Sequence, residues 1–280
     1  MEGKIDIRGF YDILDGLYEK KEMNQVEPYL LKMLLRAGNL KDLEGVISVC
    51  NELGGLYRAM RRTDEALWTY EKVMEGLERM GLKGTHSYAA ALINLGNVYI
   101  VRRDYRKAYD IDRQALKILE RLGGERYQTA ALYNNMSAAL RELGRTKEAQ
   151  DMALRAIEMI GELPECMGEL AASYINLGQA QAKEYLFSDA RRNLMHALQL
   201  YENGSGDRDI HYANALCALA NLDDAQGYYR DAEERYIRAL KLIERDFGHT
   251  SDYDRIMEEL QRIRRKEKKD EGDGTVSEFL

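Results

Sequence analysis

Residues 88–122 read YAAALINLGNVYIVRRDYRKAYDIDRQALKILERL. In the first half, Tyr88, Leu92, Leu95, Gly96 and Tyr99 fall at spacings of 4, 3, 1 and 3, which places them on one face of a helix. After a break at Arg102, Arg103 and Asp104, a second helical face follows with Tyr105, Ala108, Asp112, Ala115, Leu116 and Leu119. Small alanines stand where two helices have to approach closely. The stretch therefore predicts a helical hairpin.

Variants of it recur on both sides. The small residues Gly54, Gly96, Ser137, Gly178 and Ala220 step by 42, 41, 41 and 42, and in the second helix Ala66, Ala108, Ala149, Ala190 and Ala232 step by the same intervals. Seven residues further on, Val73, Ala115, Ala156, Ala197 and Ala239 keep that register. Two landmarks in step define an internal repeat, and hence hairpins that stack on their neighbours rather than around one core.

The combination of LGNVY (95–99), DYRKA (104–108) and QALKI (114–118) resembles the tetratricopeptide repeat. The resemblance covers roughly residues 40–248. The period of 41 to 42 is longer than the 34 residues of the short form, and the proline that usually ends the second helix is missing. The longer period is similar to the repeats of kinesin light chain, of LGN-type adaptors and of Rap-type bacterial peptide receptors. The resemblance implies an all-α, right-handed superhelix of antiparallel hairpins that binds peptides or proteins on its concave face.

The expected organisation is a degenerate N-terminal hairpin over 1–39, five repeats at about 40–81, 85–122, 125–162, 164–203 and 207–247, a capping helix over 249–269 and a flexible tail over 270–280. The alternative for the first segment is a helical cap that does not superpose on a repeat. Thr63 and Asp64 are expected to cap the second helix of the first repeat, and Asp207 the last A helix, where A denotes the first helix of a hairpin. In the capping helix, Tyr253, Ile256, Met257, Leu260 and Ile263 form the buried face, and RIRRKEKK (262–269) supplies a solvated one.

Hydrophobic content of 45% with 32% charged residues is that of a folded protein, and two prolines in 280 residues leave long helices uninterrupted. A net charge of −7 disfavours general binding to nucleic acid or anionic membranes, which requires a basic surface. No apolar run approaches a membrane span, and the mixed, acidic N-terminus is unlike a secretory signal, so a cytoplasmic location is expected. Cys50, Cys166 and Cys217 form no CxxC pair and are expected as reduced thiols in or near the packing.

Motifs for catalysis are lacking. The four histidines, His86, His196, His211 and His249, occupy four different registers, and neither HExxH, GxSxG nor a phosphate loop occurs. The expectation is a protein that is not an enzyme, with no cofactor and no metal. The informative residues are amides, because asparagine is a mediocre helix former and its recurrence on one face calls for a reason. Ala90, Asn94, Asn97 and Val101, at spacings of 4, 3 and 4, form a second face beside the packing stripe. Across the repeats the amides near it are Asn51, Asn94, Asn97, Asn134, Asn135, Asn176, Gln179 and Asn221.

On the concave wall such amides can hold a peptide backbone, each offering a donor and an acceptor. A helices about 10 Å apart meet an extended chain at roughly every third residue, at ~3.3 Å per residue. The competing reading is that the series Asn94, Asn135 and Asn176 bonds the adjacent hairpin. Arg58, Arg102, Arg141 and Lys183, near the A-helix C-termini, can meet an acidic group, and all four also complement a helix dipole; Arg58 and Arg141, four residues after the landmark, are the first choices. The expected function is a scaffold that holds an extended segment of a peptide or protein. The alternative is a regulatory receptor for a small signalling peptide, controlling an enzyme or DNA-binding partner.

Overall fold

Turns and caps set the architecture. In the computed structural model, which describes residues 3–204 and 210–277, 84% of the chain is helical, and no strand occurs among the described residues. That content, far above the ~30–35% of an average globular protein, makes the chain all-α. It divides into two units, residues 1–125 and 126–280.

The first unit holds three hairpins: α1 (Ile7–Glu19) with α2 (Met23–Asn39), α3 (Leu43–Ala59) with α4 (Thr63–Arg79), and α5 (His86–Val101) with α6 (Tyr105–Leu122). Asp6, Asp42, Thr85 and Asp104 cap α1, α3, α5 and α6 by accepting a backbone N–H three residues on. Asp42 is buried and also accepts from Ile5 N at 2.9 Å, tying the N-terminal segment to α3. Glu27 of α2 takes Arg62 at 2.8 Å and the Tyr57 hydroxyl at 3.1 Å, which joins the first hairpin to the second. The expected cap at Thr63 is displaced: Arg62 is the N-cap and makes no side-chain cap bond, while Asp64 faces out and pairs with Arg102, the C-cap of α5.

The second unit continues with α7 (Arg126–Glu142) and α8 (Thr146–Ile160), α9 (Met167–Lys183) and α10 (Phe187–Asn203), α11 (Ile210–Ala225) and α12 (Tyr229–Phe247), then α13 (Ser251–Ser277). A 3-10 turn over Pro164–Cys166, with proline at its start, leads into α9. The expected cap at Asp207 lies outside the described residues, as do 278–280. Helix α13 runs on through 270–277, which the sequence reading assigned to a loose tail.

Three hairpins close on a glycine facing a larger residue. A Cβ on Gly54 would stand 2.6 Å from the Tyr70 ring, and one on Gly178 would stand 2.8 Å from Leu194 Cγ. Gly96 is crowded in the same way by the Asp112 carboxylate. Where the partner register carries Ala153, the landmark is Ser137, whose hydroxyl donates to Ala149 O at 2.7 Å. The landmark residue and the one sixteen positions later are thus matched in size, and close packing inside the hairpin sets that match.

The tight link between the helices of each repeat uses one left-handed residue: Arg61, Arg103, Gly144, Tyr185 and Gly227, again 42, 41, 41 and 42 apart. Only two are glycine, and an L-residue there carries a conformational cost of ~1–2 kcal/mol. Arg103 is exposed, so Arg103→Gly is expected to raise stability by about 1 kcal/mol in thermal denaturation; an unchanged or lower melting temperature would refute this account of the turn.

Helix α13 covers the last hairpin with Ile256, Leu260 and Ile263, all buried. Its charged side is less solvated than the sequence suggested. Arg262 and Lys266 both reach Asp224 of α11, at 2.8 and 2.7 Å, and Arg264 pairs with Glu233 of α12 at 2.7 Å.

Candidate functional site

The helical spacing of 4, 3 and 4 that defines the second face reappears in the second unit as Ala172, Asn176, Gln179 and Lys183 on α9, and as Asn214, Ala218, Asn221 and Ala225 on α11. All eight line two adjoining cavities of about 260 and 520 Å³, which share Gln179, Ala218, Asn221 and Arg255. Together they make one groove, walled by α9 and α11, reached by Arg141 and Glu142 from α7 and by Arg255 from α13. Alanines alternating with amides keep the wall low enough for a chain to lie against it, while the amides can satisfy its backbone.

The residues singled out from sequence divide by location. Asn176, Gln179, Asn221 and Arg141 come together in this groove. Arg141 donates to Gln179 Oε1 and pairs with Glu142 at 3.0 Å, so its guanidinium is already oriented. Asn221 accepts the Tyr236 hydroxyl at 2.6 Å, which commits its carbonyl inward and leaves the amide nitrogen as the group it can offer the groove. Asn134 is 7% exposed and bridges A helices: its side-chain amide donates to Glu169 O at 3.3 Å, and Asn176 Nδ2 donates to its backbone oxygen at 3.3 Å and its side-chain Oδ1 at 3.4 Å. In the geometry seen here Asn134 is a packing residue, and Asn176 serves both as lining and as a tie between hairpins. Asn135 lies on α7 half-buried, outside the groove lining.

Asn51, Arg58, Asn94 and Asn97 belong to the first unit, half-buried on α3 and α5. Arg58 is turned toward Tyr70. Burial pushes that phenol up, and the neighbouring guanidinium opposes the shift. Arg58 Nε is buried and has no hydrogen-bond partner among the described residues.

Among the polar groove residues, Glu142, Asn214 and Arg255 escaped the sequence reading. Asn214 stands six before its landmark, the register that Ala90 holds in residues 88–122, so the 4, 3, 4 spacing itself pointed to it. Arg255 belongs to the capping helix, outside the repeat, and no register could have placed it.

Since Asn134 has two partners in a part-buried setting, Asn134→Ala is expected to cost about 1–2 kcal/mol of stability with no ligand present. Asn214, exposed in the groove, should tolerate alanine with a change within ~0.5 kcal/mol. Equal losses for the two would contradict this division.

The thiols of Cys50, Cys166 and Cys217 are buried. Burial pushes Cys50 up to about 11 and Cys217 up to about 12, so both stay protonated at neutral pH. Among the described residues no group of three His, Cys, Asp or Glu side chains could hold a metal ion, and no helix is long and apolar enough to cross a membrane.

A stacked set of helical hairpins with an amide-lined groove defines a class of repeat protein, and the comparisons agree with it. The family model described as tetratricopeptide repeat matches residues 45–121 and 87–161, so this stretch consists of such repeats. Response regulator aspartate phosphatase E of Bacillus subtilis (strain 168) is 25% identical over 232 residues, which is 82% of this chain and 59% of that protein. The chain thus spans under two thirds of that relative's length. Among solved structures, the apo form of RapI superposes with a TM-score of 0.67 at 13% identity, covering 94% of this chain and 98% of that one. BtubC from P. vanneervenii gives 0.63 at 19% identity over 81% and 93%, and a Rap protein complexed with Competence and Sporulation Factor gives 0.60 at 16% over 92% and 74%. At these identities the structures establish a shared fold.

Proposed function

We propose that the chain is a cytoplasmic peptide- or protein-binding module that acts by holding an extended segment in the groove of its second unit rather than by catalysis. The observation that carries this reading is the lining: Asn176, Gln179, Asn214 and Asn221 converge from two successive A helices on one groove. An extended chain has unpaired backbone groups at regular intervals, and carboxamides supply both donor and acceptor to meet them. The Rap protein solved with Competence and Sporulation Factor supports binding as the mode of action.

A second reading, a regulatory receptor in which the bound chain controls an enzyme or DNA-binding partner, is favoured by the relative named for a response regulator aspartate phosphatase. The two share the groove and differ in what the loaded protein does next.

The test uses the full chain, immobilised and exposed to a proteolytic digest of cell extract, with the retained peptides eluted and quantified. The double variant Gln179→Ala, Asn214→Ala removes two hydrogen bonds of ~0.5–1.5 kcal/mol each, so retention should fall about tenfold or more. Equal retention by the variant would defeat the groove assignment.

A further inference from the structure

We propose that this groove selects acidic peptides, and that Arg255 of α13 is the residue that sets the preference; the proposal rests on the peptide-binding reading above. The chain as a whole carries 48 acidic and 41 basic residues, net −7, so an ordinary stretch of its surface is negative. The groove is the reverse. Its larger part is lined by Arg141, Lys183 and Arg255 against one carboxylate, Glu142, and its smaller part has Arg255 and no carboxylate.

The state of these charges matters more than their number. Glu142 is spent on Arg141, which it meets at 3.1 and 3.0 Å through two guanidinium nitrogens. The Lys183 side chain makes no hydrogen bond or ion pair among the described residues. Arg255 has Asp252, one turn back on its own helix, at 3.4 Å, with both side chains more than half exposed (53% and 54%). A pair of that kind contributes little and is readily exchanged. Arg255 therefore keeps donors in hand at the mouth of a groove, in the fork geometry that matches a carboxylate.

The bland explanations of Arg255 do not fit its position. If it anchored the cap, it would face an acid on α11, as Arg262 and Lys266 face Asp224. Instead none of the α11 residues that line the groove with it, from His211 and Asn214 to Leu222 and Ala225, is acidic. A helix dipole favours cations only near a C-terminus, and Arg255 is the fifth residue of α13. Lys183, at the end of α9, does complement a dipole, which is why the weight rests on Arg255. The partner that fits is an extended segment whose backbone meets the amides and whose carboxylate, on an Asp or Glu side chain or at a free C-terminus, meets Arg255 with Lys183 beside it.

The probe is a displayed library of random heptapeptides selected on the full chain, with enriched sequences resynthesised as free acids and as C-terminal amides. Affinities are then measured for the parent protein and for Arg255→Ala, Arg255→Gln, Lys183→Ala and Asn214→Ala. The expected result is enrichment in Asp and Glu or a requirement for the free C-terminus. Affinity should drop about tenfold or more in both Arg255 variants and weaken as salt rises. Loss on amidation assigns the carboxylate to the C-terminus, and indifference to it assigns a side chain.

Neutral or basic peptides whose binding Asn214→Ala weakens would overturn the acidic preference and leave the groove function standing. Acidic peptides indifferent to Arg255 and Lys183 would overturn it as well. Peptides insensitive to all four substitutions would overturn both readings. Should an Arg255 variant melt early, the selected peptides are compared on the parent protein with versions in which Asp and Glu are replaced by Asn and Gln and the C-terminus is amidated, and equal affinity would overturn the proposal.

Discussion

Asp223→Ala is expected to destabilise the second unit by about 3 kcal/mol. The Asp223 side chain is fully buried on α11, between Arg191 of α10, 2.7 Å from Oδ1, and Arg235 of α12, bonded to Oδ2. Arg191 lies close enough to Oδ1 to pair with its charge, yet without the alignment of a hydrogen bond. Burial pushes the carboxyl up, and the two arginines pull it back. Breaking a buried pair by removing one partner typically costs 3–5 kcal/mol, because the remaining charge is stranded. The low end applies here since the arginines keep 29% and 30% exposure and can rehydrate. In a repeat array the loss should be local, so hydrogen exchange in α10, α11 and α12 should accelerate more than in α7 and α8. A uniform change, or none, would show that the triad does not hold these helices.

The second large effect has the opposite sign. Asp112 on α6 is buried against Gly96, and neither carboxyl oxygen has a hydrogen-bond partner among the described residues. Burial alone raises its pKa well above the ordinary value. An unsatisfied buried polar group costs ~1–3 kcal/mol. The fourth repeat shows what fits opposite glycine at this register, namely Leu194 facing Gly178. Asp112→Leu is therefore expected to stabilise the protein by about 2 kcal/mol or more at neutral pH, from the lost penalty and the added apolar burial.

The pH dependence follows from the direction of the shift. Below the unfolded-state pKa, near 3.9, the carboxyl is protonated in both states and contributes no ionisation penalty. As pH rises from there through the raised folded pKa, the unfolded state ionises first and the native state loses stability; above the folded pKa the penalty is constant. The difference in stability between Asp112→Leu and the parent should therefore widen as pH rises from about 4. A parent more stable than the variant at neutral pH would contradict this reading.

The fold was legible because its two landmarks lie on the helix faces that pack, and packing tolerates few residue types. Gly96 and Ala108 announce a hairpin whatever the rest of the chain does. The size match across the hairpin was hidden, because Gly54 with Tyr70 and Gly96 with Asp112 look unrelated until the helices are closed. The turns were equally opaque: Arg61, Arg103 and Tyr185 adopt the left-handed backbone that glycine would have advertised.

At the site, the spacing of amides identified the face, since a helix has a fixed period. It did not tell Asn134 from Asn221, because their registers, three before and one after the landmark, lie only about 40° apart around a helix, and the neighbouring hairpin decides which of them meets the groove and which the seam between A helices. The role of α13 was out of reach for a different reason. RIRRKEKK looks like a solvated run until Asp224 and Glu233 are brought beside it.

The paired sizes inside each hairpin bear on how such an array can change over generations. A recombination crossing between the two helices of a repeat would join one hairpin's glycine to another's partner, for instance Ala220 to a side chain shaped for Gly178, and leave either a clash or a hole. A crossing between hairpins carries both halves of the match together. The heritable module is therefore the closed hairpin, and duplication or exchange in whole steps of 41 or 42 residues is the route by which this chain could lengthen, shorten or trade its groove residues without disturbing its interior.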